Sequence, residues 1–528
     1  MPVLTAVDLA RIQQYVFSSN RLRDVLAASY AVERALDAER GLRLAQQSVI
    51  LAGGGNALLL FETLEQARQW TRDFSRRLQD AAPGIEAAIA HRTFERGSLA
   101  QAWLSLHADL ARQKLERLPS VPQAGLSVTA PCAITGLPAT AVDEEGQLIS
   151  ERIVILRSGI EESKQRWKSF LPDQLEHAPG WSAVFPDDLD ELGRTAGETS
   201  LIGVVHVDGN GVGETICQWL RKRKTAPDEQ VIREAREWSA ALSDLGEKVL
   251  RALVERVTHC VRERRDERTG NVEIRLEGQP QDLSFALRRR GSQRTVLLPL
   301  RPIVLGGDDM TFVADGRIAL DLAAAALGEF EKQPVPHLGP DGGHATVTAC
   351  AGVAIVRSHA PFSRAYQAAK MLCHAAKQAR RKANAEGAWL DWHLGLPRPA
   401  QGMAELRAAY RANRRDLTMR PYPVTRPARP QSWEWLDLEV LGPGPQDNRD
   451  QGLRGDPAWR FSRNRVKQLE ALAREGPDGV ERQMEVWKAT QTDLRLPGGL
   501  GTGGFVDVST PLIDAVEIMD LHLRLERA

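Results

Sequence analysis

The sequence predicts an α+β protein built on two ferredoxin-like units, with a linker domain between them and a mainly helical C-terminal domain after them. Three observations carry this. An apolar strand that ends on a carboxylate occurs twice, at Asp8 and at Asp208. Each is followed by a glycine-rich strand–turn–strand, Ala52-Gly-Gly-Gly-Asn56 and Leu305-Gly-Gly-Asp-Asp309. Both lie in the order strand, helix, two strands, helix, strand, the split βαβ arrangement, and the recurrence of these elements in one order marks an internal repeat. The boundaries expected are 1–120 for the first unit, 121–198 for the linker, 199–396 for the second unit and 397–528 for the C-terminal domain.

In the first unit, residues 2–8 read as a strand, and Leu22, Val25, Leu26, Val32 and Leu36 recur on one helical face. The strand–turn–strand spans 49–61, followed by a helix at 63–81, a strand at 85–91 and a helix at 98–115. The segment 155–198 reads as helical and then irregular. In the second unit the chain runs more than twice as far from Asp208 to Gly306 as it does from Asp8 to Gly53. Part of the excess is one long helix, because Val231, Ala235, Trp238, Leu242, Leu245, Val249 and Leu253 alternate by three and four. The rest is a basic stretch, Arg262–Arg268 through Arg288-Arg-Arg290, which reads as a solvated face or as a contact for nucleic acid or another subunit. A buried strand is expected at 346–356 and a helix from Pro361 to Asn384. Past 397, Pro- and Gly-rich signals at 420–430, 442–445 and 498–504 bracket a helix marked by Val466, Leu469, Leu472 and Ala473.

The chemistry concentrates at two places. Gly306-Gly307-Asp308-Asp309 sets two carboxylates side by side at a hairpin tip, where each raises the other's proton affinity unless a cation neutralises them. Aspartates also simply favour turns. Leu201–Asp208 is an apolar strand that runs into Gly209-Asn210-Gly211-Val212-Gly213, a stretch able to bring backbone carbonyls near an ion. A buried strand ending in Asp, followed by an Asp-Asp hairpin, is how palm-type nucleotidyltransferases hold two cations roughly 3.5–4 Å apart. Hard oxygen donors suit Mg2+ or Mn2+.

Gly306-Gly307-Asp308-Asp309 resembles the GGDD signature of the large subunit of type III CRISPR effector complexes, the Cas ten family. Val7–Phe17 resembles that family's opening segment, and Ala351–Ile355, Ala376-Lys377 and Leu417–Tyr422 follow in the family's order, over roughly residues 1–425. The resemblance implies two palm (nucleotide cyclase-like) domains, the second catalytic and the first degenerate, since Gly55 and Asn56 replace the hairpin carboxylates there. It implies a nucleotidyltransferase that makes cyclic oligoadenylate second messengers from ATP. The trigger would be target RNA paired to a guide RNA held by other type III effector subunits. Asp208, Asp308 and Asp309, with the Gly209 carbonyl, would hold two Mg2+ or Mn2+ ions. Gly209, Asn210, Gly306, Gly307 and Lys377 would bind nucleotide, Lys377 as a triphosphate clamp, with Asp8, Ser18, Ser19 and Asn20 of the first palm positioning a second ATP. Pro131–Pro138 resembles the family's linker, which often carries a zinc-binding cysteine cluster. Only Cys132 is present here, with His177 distant, so no zinc is expected. Family members commonly open with an HD nuclease domain. This sequence opens on the first palm and contains no adjacent His-Asp pair, so DNA cleavage is not expected of it.

Composition is consistent with this division of labour. The 528 residues are 42% apolar and 26% charged, with 69 basic and 69 acidic side chains. Such a balance argues against a surface coated in nucleic acid throughout. Five scattered cysteines make no C-x-x-C pair, and neither a signal peptide nor a long apolar run is present. A cytoplasmic protein without membrane insertion is therefore expected. Two rivals remain: a synthase of the same palm type making a cyclic dinucleotide or another nucleotide conjugate, and a non-catalytic structural subunit of a ribonucleoprotein.

Overall fold

Strand β1 (Val3–Ala10) buries Val3, Leu4, Val7 and Leu9, and pairs on both edges. It runs two residues beyond Asp8 because Leu9 and Ala10 still pair with Ala87 and Glu86. Helix α1 (Leu22–Leu36) buries all five residues of the predicted apolar face. β2 (Val49–Gly53) and β3 (Asn56–Phe61) form the hairpin. α2 (Leu64–Ala81) starts at Thr63, whose hydroxyl accepts from the Gln66 N–H, and buries Trp70, Phe74 and Leu78. β4 (Glu86–Thr93) and α3 (Leu99–Glu116) close the unit. The sheet order is β2-β3-β1-β4 with every neighbour antiparallel, the ferredoxin-like arrangement. The computed structural model describes residues 1–118, 125–192, 200–265, 270–291, 293–425, 431–442 and 451–526.

Two short helices, α4 (Glu151–Ser158) and α5 (Ile160–Lys168), follow. The second unit opens with β5 (Leu201–Gly209), α6 (Val212–Lys222) and the long α7 (Asp228–His259), which buries every residue of its predicted stripe. The basic stretch is largely exposed, at Arg264, Arg265 and Arg288–Arg290, and is also in part a strand. Val261–Arg265 is a strand paired with Val272–Leu276, Arg288 donates to the Asp190 carbonyl and Arg290 pairs with Asp187. Positions 266–268 lie outside the described residues.

The unit continues through β6 (Leu300–Leu305), β7 (Asp309–Asp315), α8 (Ala319–Phe330), β8 (Ala349–Arg357), α9 (Phe362–Lys382), β9 (Trp389–Leu394) and β10 (Tyr422–Pro423). Its order, β6-β7-β5-β8-β9-β10, contains the first unit's pattern and adds a parallel strand and an edge strand. The expected strand at 346–356 begins at Ala349, since Ala345–Thr346 pairs elsewhere with Pro334–Val335.

The two units share buried structure. The Ser29 hydroxyl on α1 donates to the Ile303 carbonyl of β6 at 2.6 Å in the interior, and at the exposed edge Arg236 on α7 donates to the Val49 carbonyl at 3.0 Å. Beyond them, α10 (Arg463–Glu475), α11 (Pro477–Lys488) and α12 (Leu512–Ile518) form the C-terminal helices. Arg420, fully buried, pairs with Asp514 at 2.9 Å and Glu517 at 2.6 Å, and the Tyr422 hydroxyl donates to Asp514 at 2.7 Å. These contacts tie α12 to the edge of the second sheet. All five cysteines are free, and among the described residues no helix is long and apolar enough to cross a membrane.

Candidate active site

Strand register assembles the carboxylates. Asp208 lies opposite Asp309 across β5 and β7, and the Gly209 N–H donates to the Asp308 carbonyl at 2.9 Å. The Gly306 N–H donates to the Asp309 carbonyl at 2.8 Å and closes the turn. Gly307 sits at φ +85°, and a Cβ there would approach the Leu242 carbonyl of α7 to 3.2 Å. Only glycine allows the long helix to rest directly on the hairpin tip. His206, two residues before Asp208, projects from the same face of β5. Its Nδ1 lies 3.2 Å from the Thr311 hydroxyl and 3.4 Å from Asp309 Oδ1. Burial pushes His206 down to about 4, so the ring is neutral at pH 7.

The site holds more negative charge than it neutralises. Burial, then the charges of Asp309 and Asp208, push Asp308 up to about 6. Burial and Asp208 push Asp309 up to about 7. The Asp309 side chain is 39% exposed, yet its Oδ1 is buried and accepts no hydrogen bond from the described residues. Lys377 reaches in from α9, its Nζ 2.7 Å from Asp208 Oδ2 and 2.6 Å from the Gly209 carbonyl. A cationic group thus already rests on the two oxygens at the end of β5. Asn210 is committed to Thr348, donating to its hydroxyl at 2.9 Å and to its carbonyl at 2.7 Å. Cys373 lies within 4.8 Å of donor atoms on His206 and Asp208. Burial holds its thiol protonated, however, and it donates to the Cys350 carbonyl. Uncompensated carboxylates, a carbonyl oxygen and a stand-in ammonium fit a hard divalent cation such as Mg2+ or Mn2+.

The first unit repeats this geometry without the hairpin carboxylates. Asp8 lies opposite Asn56, and the Leu9 N–H donates to the Gly55 carbonyl at 2.8 Å, as Gly209 does to Asp308. Lys114 Nζ lies 2.5 Å from Asp8 Oδ2. Leu99 to Lys114 on α3 and Phe362 to Lys377 on α9 are the same 15-residue span (114 − 99 and 377 − 362), so Lys114 is the internal counterpart of Lys377. The spacing was visible in the sequence, but only helix starts known to the residue would have exposed it. A cleft of about 260 Å³ opens beside Asp8, lined by Arg11, Glu86, Lys114 and Arg117, and it does not lie over the second unit's carboxylates. The two hairpin tips meet: a Cβ on Gly54 would lie 3.5 Å from the Gly306 carbonyl.

Ser18, Ser19 and Asn20 have other partners. Ser18 donates to the Tyr15 carbonyl, and Ser19 is buried and donates to Asp24 at 2.9 Å. Asn20 Oδ1 accepts the Phe362 N–H at 3.0 Å and so caps α9. That end of α9 is about 22 Å along the helix axis from Lys377, at ~1.5 Å per residue. The structure therefore gathers Asp208, Gly209, Gly306, Gly307, Asp308, Asp309 and Lys377, keeps Asp8 with Lys114, and engages Ser18, Ser19 and Asn20 with Tyr15, Asp24 and Phe362. His206 and Lys114 are the residues that sequence reasoning missed. The two-residue strand period pointed to the first.

Residues 201–385 match the family model for the second palm domain of Cas10/Cmr2. No curated protein matches the chain in sequence. Among solved structures, Csm1 of T. onnurineus shares 14% identity at a TM-score of 0.52, covering 99% of this chain and 70% of that one. A Csm1-Csm4 cassette in complex with AMPPNP shares 14% identity at a TM-score of 0.49, covering 98% and 69%. Another, in complex with cA3, shares 14% at 0.39, and this chain spans only 53% of its length. The fold is thus that of paired palm domains, with residues 201–385 similar to the second palm domain of Cas10/Cmr2.

Proposed function

We propose that this chain is a metal-dependent nucleotidyltransferase that joins ATP into cyclic oligoadenylate, as the large subunit of a type III CRISPR effector. One observation carries the reading: register and the hairpin turn bring Asp208, Asp308, Asp309 and Lys377 together where the tips of the two palms meet. Asp208, Asp308, Asp309 and the Gly209 carbonyl would hold Mg2+ or Mn2+, which supplies Lewis-acid activation of a ribose hydroxyl and charge neutralisation of departing pyrophosphate. The bond formed joins a ribose 3′ oxygen to an α-phosphorus, the bond broken frees pyrophosphate, and the hydroxyl proton is lost to solvent.

The chain's own residues position the partners. Lys377 exchanges its contact with Asp208 for nucleotide phosphates, and the Gly306-Gly307 turn lets a nucleotide approach the backbone. In the first palm, the Asp8–Lys114 pair and the basic cleft around it hold a second ATP. One carboxylate there is too little charge for a cation pair, so this palm contributes orientation. The partners are other type III subunits, guide RNA and target RNA, and the family resemblance supplies both these and the adenylate product.

The test incubates the purified chain with each labelled nucleotide and Mn2+, with and without partner subunits and target RNA. ATP should be converted to oligomers with release of pyrophosphate, and Asp208→Asn should reduce this by roughly 10²-fold or more, the scale set by losing one transition-state contact. Full synthesis by the Asp208→Asn chain, or no ATP turnover in the complete complex, overturns the reading.

A further inference from the structure

A second group of ligand-type side chains lies away from the palm carboxylates. His259 is the last residue of α7, while Glu176 and His177 lie in the turn that the Leu175–Ala178 bridge closes. Their donor atoms all fall within 4.8 Å of one another. His259 Nδ1 is 3.2 Å from Glu176 Oε2, and His177 Nε2 is 3.6 Å from the same oxygen. Zinc bonds of about 2.0–2.2 Å in a tetrahedron place neighbouring donors about 3.3–3.6 Å apart. The two edges, 3.2 and 3.6 Å, lie at the ends of that range.

A simple helix-end contact between His259 and Glu176 accounts for one edge only. It leaves His177 Nε2 buried and without a hydrogen-bond partner among the described residues, a cost that native structures rarely carry. The backbone fixes the arrangement, since the Glu263 N–H donates to the His177 carbonyl at 3.3 Å and the Leu175 N–H to the Trp181 carbonyl at 3.0 Å. Hydrogen bonding from His259, then the charge of His177, hold the Glu176 carboxyl below its usual range. Arg262 is the opposing cation, and its guanidinium is directed at the His259 carbonyl.

We propose that Glu176, His177 and His259 bind one borderline divalent cation of the Zn2+ class, with a water in the fourth position, and that the ion fastens the segment before the second palm to the end of α7. Two imidazoles and one carboxylate select such an ion over Mg2+, which prefers all-oxygen sites. The expected absence of zinc rested on a linker that keeps only Cys132, with His177 distant from it, and this donor set uses no cysteine.

The experiment uses the full chain carrying Asp208→Asn, Asp308→Asn and Asp309→Asn, so that the palm carboxylates do not compete. Co2+ alone is titrated while visible absorption is followed, and then Zn2+ or Mg2+ is added. The expected result is one equivalent of Co2+ with the intense bands of a tetrahedral site, displaced by Zn2+ and not by Mg2+. His177→Gln and His259→Gln should each weaken binding by more than the roughly 10–100-fold typical of losing a supporting partner. Glu176→Gln alters an exposed side chain, folds regardless, and should weaken binding at least ~10-fold by the same comparison. Absence of a saturable band, or Co2+ affinity unchanged by Glu176→Gln, overturns the site.

Discussion

Asp308 and Asp309 have folded pKa values of about 6 and about 7, well above those of an unfolded aspartate. Groups of this kind keep protons in the folded chain that the unfolded chain has already lost. Their stabilising contribution is complete below the unfolded value and is lost as pH rises through about 6 and 7. Without divalent cations, therefore, Asp308→Asn with Asp309→Asn should raise the melting temperature relative to the unsubstituted chain by more at pH 8 than at pH 5. Calorimetry in a chelator from pH 5 to 8 measures the gap, and a gap that is constant or closes with rising pH refutes the charge surplus. His206 titrates in the opposite sense but is present in both chains and largely cancels. Mn2+ at pH 8 should stabilise only the chain that retains both carboxylates. At this scale the sequence was most legible where chemistry is local: the Asp-Asp turn announces itself. The Asp8–Lys114 pair and the Glu176–His177–His259 group join residues far apart in the chain, and no local pattern encodes them.

At the scale of elements, the repeat was legible because strand order and turn glycines recur. What the repeat meant became clear from register, since Asp8 faces Asn56 as Asp208 faces Asp309. Packing between β8 and α9 was not legible, although the motif Ala351–Ile355 contains its key. A Cβ on Gly352 would fall 2.0 Å from the Ala369 carbonyl and 2.3 Å from the Cys373 nitrogen. Glycine is required here because helix and strand touch through their backbones. Gly352→Ala should cost about 1–3 kcal/mol, the usual range for overpacking. It should also lower turnover per folded molecule, because displacing α9 moves Lys377 away from Asp208. Urea unfolding paired with ATP turnover tests both parts, and unchanged stability with unchanged turnover refutes the close contact. In the basic stretch at 262–290 charge did indicate a solvated face, since Arg264, Arg265, Arg288, Arg289 and Arg290 are exposed; what it did not indicate was the strand pairing and the contacts to Asp187 and Asp190.

Across the whole molecule, the two palms oppose one another through their hairpin tips, while only one carries the Asp-Asp hairpin opposite a strand-end aspartate. Such a division predicts different kinetic consequences for equivalent residues. On the proposed function, Asp208 and Lys377 would act where bonds change, so their loss should fall on the maximal rate. Asp8 and Lys114 would hold a partner nucleotide, so Lys114→Met should raise the ATP concentration needed for half-maximal rate by roughly 10-fold, the equivalent of about 1.4 kcal/mol, and leave the maximal rate within about 3-fold. Lys114 is exposed on α3 and its ion pair lies near solvent, where such pairs contribute at most about 1 kcal/mol to folding, so the fold should tolerate the change. The measurement is initial rate against ATP concentration at saturating Mn2+ for Lys114→Met, Asp8→Asn, Lys377→Met and Asp208→Asn in the assembled complex. If Asp8→Asn abolishes the maximal rate as fully as Asp208→Asn does, with the half-maximal concentration unmoved, the palms share the chemistry and the specialisation argued from Gly55 and Asn56 is wrong. If Lys114→Met leaves both parameters unchanged, the cleft beside Asp8 is not where the second nucleotide rests, and the contact between Gly54 and Gly306 must position it from the hairpins alone.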